Sequence, residues 1–477
     1  MKSTRSPSLP ARNNAALRTV VGRGGFFALA FGAIVGSGWV VVLGDWLKVA
    51  GPGGATLGFL AGALVMMLVA LCYGELAARS SVAGGEILYA LETFGRFPAF
   101  LVGWFFNLYA LAVCAFEAIA LALMVRTLLP GIALPAAYAI NGSAVTWDAL
   151  LLGLGGALGI ALLHARGAAY AIRFQNIVTY GFVATSVALI LVGFHAGRIE
   201  NLEPLFSAPP QHSWLSGAGW IFATCAYFLN GWQAAIHAVE ERRAGLTGRT
   251  LISCVIGAIG AAAIFYGAII LSSACIVPWQ RLTTADLPAA AAFRAIGLHG
   301  VFGTLVLVAA VVSLAKTWSA AAWMSSRLIL AQARFGLLPA WLAKVDPHSG
   351  VPRRALLITT ALTVVGILLG RRAILPIVDM VALCLALSII LSLVVLLKRR
   401  QQRAAPPSFT VPGGTTTIVC ALLGVCSMVG VVLVQPLLSG TIPPEWPLLG
   451  GWTVLGLCVW QARRFFDNVI TNMEKSS

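Results

Sequence analysis

Charge is scarce in this sequence, since only 10% of its 477 residues are Asp, Glu, Lys or Arg. Soluble domains carry about 25%, so the composition excludes an ordinary soluble protein. Hydrophobic residues make up 59% of the chain, and apolar runs long enough to cross a bilayer recur along it. The strand-period alternation of a membrane barrel is absent. We therefore expect an all-α polytopic membrane protein.

Motifs for metals, cofactors and catalysis are missing as well. The nine cysteines and six histidines form no CxxC pair and no His/Cys cluster, so we expect no metal site and no cofactor. The sequence contains no HExxH, no GxSxG and no Walker loop. We therefore expect that the protein is not an enzyme.

The excess of Lys and Arg over Asp and Glu is explained by the way charges are distributed around membrane spans. The net charge is +16, which in a soluble protein would suggest nucleic acid. Most of the 32 Lys and Arg residues, however, fall on the same side as the N-terminus when the apolar runs are read as successive spans. This bias follows the positive-inside rule. It predicts a cell (inner or plasma) membrane protein with both termini in the cytoplasm and no nucleic-acid partner.

Twelve spans are predicted from the apolar runs. Their approximate positions are 25–49, 53–77, 97–127, 149–166, 172–197, 214–239, 250–276, 300–333, 354–371, 374–398, 415–438 and 446–465. The even number of spans places the two termini on the same side of the membrane.

Two spans carry a weak region at mid-membrane. The first contains "GAIVGSGWVV" (32–41), and the sixth contains "AYFLNGWQAA" (226–235). Glycine in a helix interior costs up to about 1 kcal/mol, so each region either packs tightly as a GxxxG face or interrupts its helix. Paired interruptions five spans apart point to a transporter built from two inverted repeats. The predicted organisation is an N-terminal tail (1–24), repeats at 25–197 and 214–398, a connector (399–414), two further helices (415–465) and a C-terminal tail (466–477).

Several segments resemble the amino acid–polyamine–organocation (APC) transporters. They are "GAIVGSGW" with "AGPGGA", "YGELAARSSVAGGEILYALETFGRF", "AVEERR" and "SSRLILAQARFGLLPAWLAKVDPHSGVPRRAL", which occur in that family's order. The resemblance implies a LeuT-like 5+5 inverted repeat with helices one and six broken, plus two extra helices. It also implies alternating access for an amino acid or related amine, with the lipid bilayer and possible protons as the other partners. Gln233 departs from the pattern, because many members have an acid just after the sixth-span glycine.

A broken helix exposes backbone groups that suit a zwitterion. N–H groups at a new helix start attract anions, so we expect the substrate carboxylate at Ser37, Gly38 and Trp39, where Gly36 permits close approach. The ammonium is expected at carbonyls near Ile34, Tyr227 and Phe228. Tyr227 is a candidate lid or a core aromatic residue. The remaining candidate substrate-binding residues of the sixth span are Asn230, Gly231 and Gln233.

Charges inside spans are functional hypotheses by default. Lys316 lies near the centre of the eighth span, where sodium-coupled relatives of this fold bind a cation, so its ammonium is predicted to replace the ion. Glu117 in the third span is its expected partner, and the alternative is a static buried ion pair. Near the cytoplasmic face, Glu75, Glu86 and Glu240 are expected to form a gate with Arg79, Arg96 and Arg243, the alternative being solvated loop charge.

The sequence therefore predicts a permease for an amino acid, an antiporter or symporter that is sodium-independent, driven by protons or by exchange. A neutral amino acid is favoured by Gln233. The alternatives are a transporter of cationic amino acids, polyamines or other organic amines, and a sensor that binds an amino acid without transporting it.

Overall fold

The computed structural model describes residues 17–78, 84–140, 142–207, 214–296, 300–401, 407–439 and 445–476. Side chains within these ranges are described except at 214, 371–379, 382, 434–439, 445 and 464–476. Most of the predicted N-terminal tail lies outside the described residues, as do Arg79 of the predicted gate and residues 402–406 of the predicted connector.

The described chain is predominantly helical. Its α-helices are α1 (Arg23–Ile34), α2 (Gly38–Val41), α3 (Leu43–Ala78), α4 (Gly85–Phe94), α5 (Arg96–Leu128), α6 (Trp147–Ala165), α7 (Ala168–Ala196), α8 (Trp214–Phe228), α9 (Gln233–His237), α10 (Gly248–Ile276), α11 (Pro288–Arg294), α12 (Val301–Arg334), α13 (Arg353–Gln401), α14 (Gly414–Ser439) and α15 (Glu445–Ser476). Short 3₁₀ turns cover Pro130–Ile132, Ile199–Leu202, Val239–Glu241, Trp279–Thr284 and Ala340–Ala343.

Nine helices within the described ranges are long and apolar enough to cross a membrane. This confirms a polytopic membrane protein, while the twelve-span count and the inverted repeat stay predictions. The strands β1 (Ala136–Ile140) and β2 (Ser143–Thr146) form an antiparallel hairpin between α5 and α6. The expectation of a purely α-helical chain missed this hairpin, because two short strands in a connection leave little periodic signal.

Kinks at two glycines divide the longest helices where the sequence predicted span boundaries. Gly51 (φ 69°) separates the end of the first span from the second within α3, and Gly370 (φ 73°) separates the ninth from the tenth within α13. Glycine is required because a left-handed backbone is strained for other residues. Two predicted boundaries differ from the structure. α13 continues to Gln401, into the predicted connector, and α15 continues through most of the predicted C-terminal tail.

The first helix is interrupted at mid-membrane. α1 ends at Ile34 and α2 begins at Gly38, with Val35 in an extended conformation between them (φ −94°, ψ 91°). The sixth is interrupted in the same way, since α8 ends at Phe228 and α9 begins at Gln233. Both weak regions are therefore breaks, not continuous packing faces.

The broken helices lie against a buried scaffold. Every residue of α12 from Lys316 to Ala333 is buried, and α12 packs against α1, α5, α9 and α13. Ser313, Lys316 and Thr317 share one face of α12, because residues three and four apart on a helix are neighbours. This face brings polar groups to the break in helix one.

The kink at Gly51 provides a test of the fold. A methyl group there would lie 2.5 Å from the backbone N of Ser207 and 2.9 Å from the carbonyl oxygen of Leu205. We expect Gly51→Ala to lower stability by roughly 1–3 kcal/mol through strain and overlap, measured as a lower melting temperature in detergent. Gly155→Ala is the control, because this exposed helical glycine has open space at its Cβ position. Equal melting temperatures for the two variants would contradict the kink.

Candidate binding site at two helix breaks

The two breaks touch each other. Gly231 has φ 100°, and a Cβ at this position would lie 2.7 Å from the carbonyl oxygen of Ala33. A Cβ at Gly38 would lie 2.7 Å from the ring of Phe228. The glycines are therefore needed on both sides, because each one allows its own break to approach the opposite helix closely.

Lys316 satisfies the carbonyl end of the first break. Its ammonium donates hydrogen bonds to the carbonyl oxygens of Gly32 (3.4 Å) and Val35, and it lies 4.5 Å from the ring centroid of Phe182. The residue has no solvent exposure. A buried charge requires such partners, and the carbonyls at a helix C-terminus carry the negative end of its dipole.

Two hydroxyl groups of α12 bond the same carbonyls. Thr317 Oγ1 donates to Gly32 O at 2.6 Å and lies 3.0 Å from Val35 O. Ser313 Oγ lies 2.9 Å from Val35 O and 2.8 Å from Gly36 O. The ammonium and the two hydroxyls thus donate hydrogen bonds to the carbonyls that the break has freed, and together they form one polar cluster.

Glu117 satisfies part of the N–H end of the break. Its carboxylate accepts a hydrogen bond from Ser37 Oγ at 2.7 Å and one from the backbone N–H of Ser37 at 3.3 Å. A Cβ at Gly36 would lie 2.2 Å from the carboxylate, so glycine is required beside it. The Ser37 N–H that was predicted to bind a substrate carboxylate is therefore held by a carboxylate of the protein itself.

The next two N–H groups remain available. No hydrogen bond among the described residues uses the backbone N–H of Gly38 or Trp39. None uses the backbone carbonyl of Phe228 across the contact. These residues are buried or half-buried within predicted membrane spans, where unpaired backbone groups are costly. Gly38 lies where the first break packs against the ring of Phe228, so two free donors and one free acceptor belong to residues at the contact between the breaks.

Lys316 and Glu117, the expected partners, make no direct ion pair among the described residues, but their charges interact electrostatically. Each bonds a different end of the break. The cation lies at the carbonyl end and the carboxylate at the N–H end. This arrangement matches the two poles that an interrupted helix creates.

The break in helix six is bonded by its own side chains. Gln233 accepts from the backbone N–H of Gly231 at 3.1 Å and donates to Asn230 Oδ1 at 2.5 Å. Both side chains are buried. The polar ends of Asn230 and Gln233 are thus engaged with the break.

Aromatic rings cover the contact between the breaks. Tyr227 packs edge-on against Tyr109 of α5 (6.3 Å between ring centroids) and against Phe228 (5.2 Å). Phe228 also packs against Trp46 at 5.0 Å. The structure therefore places Tyr227 in an aromatic cluster above the break, which is compatible with a lid and with a core residue.

Three contributors to the site were missed from the sequence. Ser313 lies three residues before Lys316 and Thr317 lies one residue after it. This spacing puts three polar side chains on one face of an apolar span, which could have predicted from the sequence that they act together. Tyr266 of α10 donates to the carbonyl of Ile34 at 3.3 Å. A single tyrosine in an apolar span carries no comparable signal.

Comparison with known protein families decides the class of protein. The family model for amino acid permeases matches residues 25–458. The chain belongs to the amino acid permease family. It is a transport protein of the membrane, and its relatives are transporters, not enzymes.

Relatives of this permease carry different substrate names. It is 27% identical over 330 residues to the methylthioribose transporter of Bacillus subtilis. The matched region covers 68% of this chain and 69% of the relative. It is 26% identical over 347 residues to the branched-chain amino acid permease BcaP of the same organism, with the same coverage. It is 30% identical over 381 residues to the chloroplastic cationic amino acid transporter 9 of Arabidopsis thaliana. This match covers 72% of this chain and 62% of that protein.

Two ion pairs and one glutamate–histidine contact join the segment after the sixth-helix break to the surrounding helices of the permease. We call this set of contacts the latch, and it consists of Glu86, His237, Glu240, Glu241, Arg327 and Arg334. Glu241 and Arg327 are both buried, with 2.8 and 3.3 Å between their paired atoms, and the guanidinium lies 3.8 Å from the ring centroid of Trp323.

The other latch pairs join the same segment of helix six to α12 and to α4. Glu240 accepts from Arg334 at 2.9 Å, and Glu86 of α4 lies 3.2 Å from His237 of α9, with no exposure of either side chain. α9 and the 3₁₀ turn after it are thus joined to α12 and α4 directly below the break.

Two of the expected gate arginines have other partners, since Arg96 donates to the carbonyl of Gly336 and Arg243 donates to the carbonyl of Val20. Glu75 accepts from Arg400 at the end of α13. The predicted contact of Glu75 with Arg79 stays a prediction, because Arg79 lies outside the described residues. The acids pair with arginines far along the chain, because tertiary packing, not sequence proximity, places the ends of α12 and α13 beside them.

The latch provides the second test. Glu241→Ala leaves the Arg327 charge buried without its partner, so we expect a loss of about 3–5 kcal/mol of stability. The double variant Glu241→Leu/Arg327→Met should recover most of it. Glu92→Ala is the control, because Glu92 pairs with Arg399 at the surface, where such pairs contribute about 0–1 kcal/mol. Melting temperatures measure all three, and a Glu241→Ala protein as stable as Glu92→Ala would refute the latch.

Proposed function

We propose that the permease is a secondary active transporter that moves an amino acid by alternating access. The observation that carries this proposal is the pair of available N–H groups at Gly38 and Trp39, where the first break packs against the ring of Phe228 in the second. The backbone carbonyl of Phe228 also accepts no hydrogen bond within the described residues. A carboxylate suits the N–H groups, because they lie at a helix start. An ammonium suits the carbonyl. An α-amino acid carries both groups on one carbon.

We propose a neutral amino acid as the substrate. The position after Gly231 and Trp232 is the uncharged Gln233, and its amide is engaged with the break. Glu117, the acid of this site, is already bonded to Ser37. Gln233 therefore offers no negative charge beside the sixth-helix break, and the carboxylate of Glu117 is held at the first break by Ser37. Cationic amino acids, polyamines and other amines are the alternative, and one relative is named a cationic amino acid transporter.

We propose that transport is independent of sodium. The Lys316 ammonium bonds the carbonyls of Gly32 and Val35 together with the hydroxyls of Ser313 and Thr317. Carbonyl and hydroxyl oxygens are the ligands that a hard cation prefers. A fixed ammonium among them repels a metal cation and supplies its charge. Protons or substrate exchange then remain as the driving force.

The latch is proposed as the gate on the cytoplasmic side. Its pairs join the segment after the sixth-helix break to α12 and α4. Opening the site toward that side requires these pairs to separate. The buried position of Ser37 and Gln233 is consistent with a closed conformation, in which the latch is formed.

Uptake into proteoliposomes tests the function. Purified protein is reconstituted and given labelled neutral, cationic and acidic amino acids and methylthioribose, with a pH gradient, a sodium gradient or internal substrate. We expect accumulation of a neutral amino acid without sodium. Thermal stabilisation by an amino acid without accumulation or exchange would instead identify a sensor, since a ligand stabilises the folded state whether or not it is transported. No binding and no uptake of any amino acid would contradict the proposal.

Gly38→Leu tests the carboxylate position. The larger side chain overlaps the ring of Phe228 and fills the space beside the free N–H groups, so substrate affinity should fall by about 100-fold or more. Binding is measured by thermal shift or scintillation proximity. Gly159→Leu is the control, because Gly159 is exposed on α6 with open space at its Cβ position. Unchanged affinity in Gly38→Leu removes the carboxylate assignment.

Lys316→Met tests the cation replacement. Loss of the ammonium leaves the carbonyls of Gly32 and Val35 without their charged partner, so we expect uptake to fall by about tenfold or more and its pH profile to change. Lys344→Met, an exposed lysine beyond α12, controls for loss of a positive charge. A Lys316→Met protein with the wild-type rate and pH profile shows that the lysine is structural only.

A further inference from the structure

One contact of the latch differs in kind from the other two. Glu86 Oε2 of α4 lies 3.2 Å from His237 Nε2 of α9, and neither side chain has any solvent exposure. In the other two contacts the partner of the acid is an arginine, which keeps its proton at any physiological pH. An imidazole instead gains or loses a proton between about pH 5 and 8. The charge of the Glu86–His237 pair therefore depends on how many protons it holds.

The pair is enclosed by apolar groups and has few hydrogen bonds. The ring of Phe106 packs edge-on against the imidazole at 5.6 Å between centroids, and a Cβ at Gly85 would lie 3.4 Å from its Cε1 atom. None of the side-chain nitrogen and oxygen atoms of Glu86 and His237 makes a well-aligned hydrogen bond within the described part of the chain. Buried polar atoms are nearly always bonded. The pair is thus held less firmly than the doubly bonded Glu241 and Arg327.

The charges around the pair cancel one another. Four other acids around the latch each have an arginine partner, in the pairs Glu240–Arg334, Glu241–Arg327, Glu75–Arg400 and Glu92–Arg399. At the first break, the charges of Lys316 and Glu117 face each other electrostatically. Glu86 is therefore the acid of this region whose partner, among the described residues, is a histidine.

The remaining titratable groups do not compensate a charge on Glu86. The hydroxyls of Tyr73 in α3 and Tyr89 in α4 interact with its carboxylate, but tyrosine hydroxyls are uncharged at neutral pH. Other cations of the adjoining elements are exposed or half-buried, where water and salt screen them; they are Arg23, Arg96, Arg242, Arg243, Arg249 and Lys398. A buried charge without a partner is strongly destabilising. The buried pair is neutral overall only when it holds one proton, as imidazolium with carboxylate or as imidazole with carboxylic acid.

We propose that Glu86 and His237 form a proton-binding site linked to the cytoplasmic gate, which holds one proton while the latch is closed and releases it from His237 to cytoplasmic water on opening. The inference rests on the proposed role of the latch as that gate. Separation of α9 from α4 brings both groups into water, where the carboxylate is charged and an imidazole is largely neutral above about pH 7. The closed state then binds one proton more than the open state. Opening therefore becomes more favourable as the pH rises above about 6.5, by up to about tenfold per pH unit.

Hydrogen–deuterium exchange of the full-length protein in nanodiscs, read by mass spectrometry, tests the site without a substrate. After correction for the intrinsic effect of pH on amide exchange, the protection of residues 233–241 reports how readily this segment opens. We expect this protection to fall as the pH rises in the wild-type protein, by up to about tenfold per pH unit between about pH 6.5 and 8.5. The buried segment of α12 from Lys316 to Ala333 should show no such change.

Variants without the titrating pair assign the effect to these two residues. Glu86→Gln/His237→Gln places two neutral amides in the pair, so its protection should not depend on pH. Glu86→Gln alone is the second variant and should also lose the dependence, because no carboxylate then holds the proton beside the imidazole. Glu92→Gln is the matched control, since it removes an acid of the same helix from a surface pair, and it should keep the wild-type dependence.

The outcomes separate this proposal from the transport proposal. Protection of 233–241 that is independent of pH in the wild-type protein overturns the proton site, as does a wild-type dependence that persists in both Glu86 variants. A pH-dependent protection combined with a pH-independent rate of substrate exchange in proteoliposomes would overturn the link to the gate. Absence of any amino-acid uptake would count against the transport proposal instead, because the exchange of amide hydrogens requires no substrate.

Discussion

The fold depends on how a protein satisfies backbone groups that a broken helix exposes inside a membrane. Lipid offers no hydrogen bonds, so every freed N–H and carbonyl of the first break needs a partner from the protein or from a ligand. The carbonyls of Gly32 and Val35 receive Lys316 and two hydroxyls, and the N–H of Ser37 receives Glu117. The N–H groups of Gly38 and Trp39 remain for a substrate. The proposed binding site therefore consists of the backbone groups of the break that the protein itself leaves without a hydrogen-bond partner.

The same break connects the site to the latch. α9 is only five residues long, so the segment from Gly231 to the 3₁₀ turn at Glu241 is a short unit between a glycine with positive φ and the buried Glu241–Arg327 pair. Separating buried charges costs several kcal/mol per pair unless they gain water or new partners. The proposed substrate site therefore lies close in the chain to the proposed gate, and the proposal requires no long pathway between them.

Much of this arrangement follows from the sequence. The two Gly-containing regions predicted both breaks, and apolar run lengths placed most helices within a few residues. Lys316 was predicted from its charge within an apolar span. The partners of the charges were not predictable, because Arg327, Arg334 and Arg400 are 86 to 325 residues away from their acids and only packing brings them together. The β1–β2 hairpin and the bond of Tyr266 to Ile34 were missed for the same reason, since neither has a periodic signal.

An experimental map of the protein saturated with its transported substrate tests the central claim most directly. The account predicts two separate helical segments on either side of Val35, with the substrate carboxylate within hydrogen-bonding distance, about 3 Å, of the N–H groups of Gly38 and Trp39. A first span that is helical without interruption from Arg23 to Ala50, or a substrate bound away from both breaks, would contradict it.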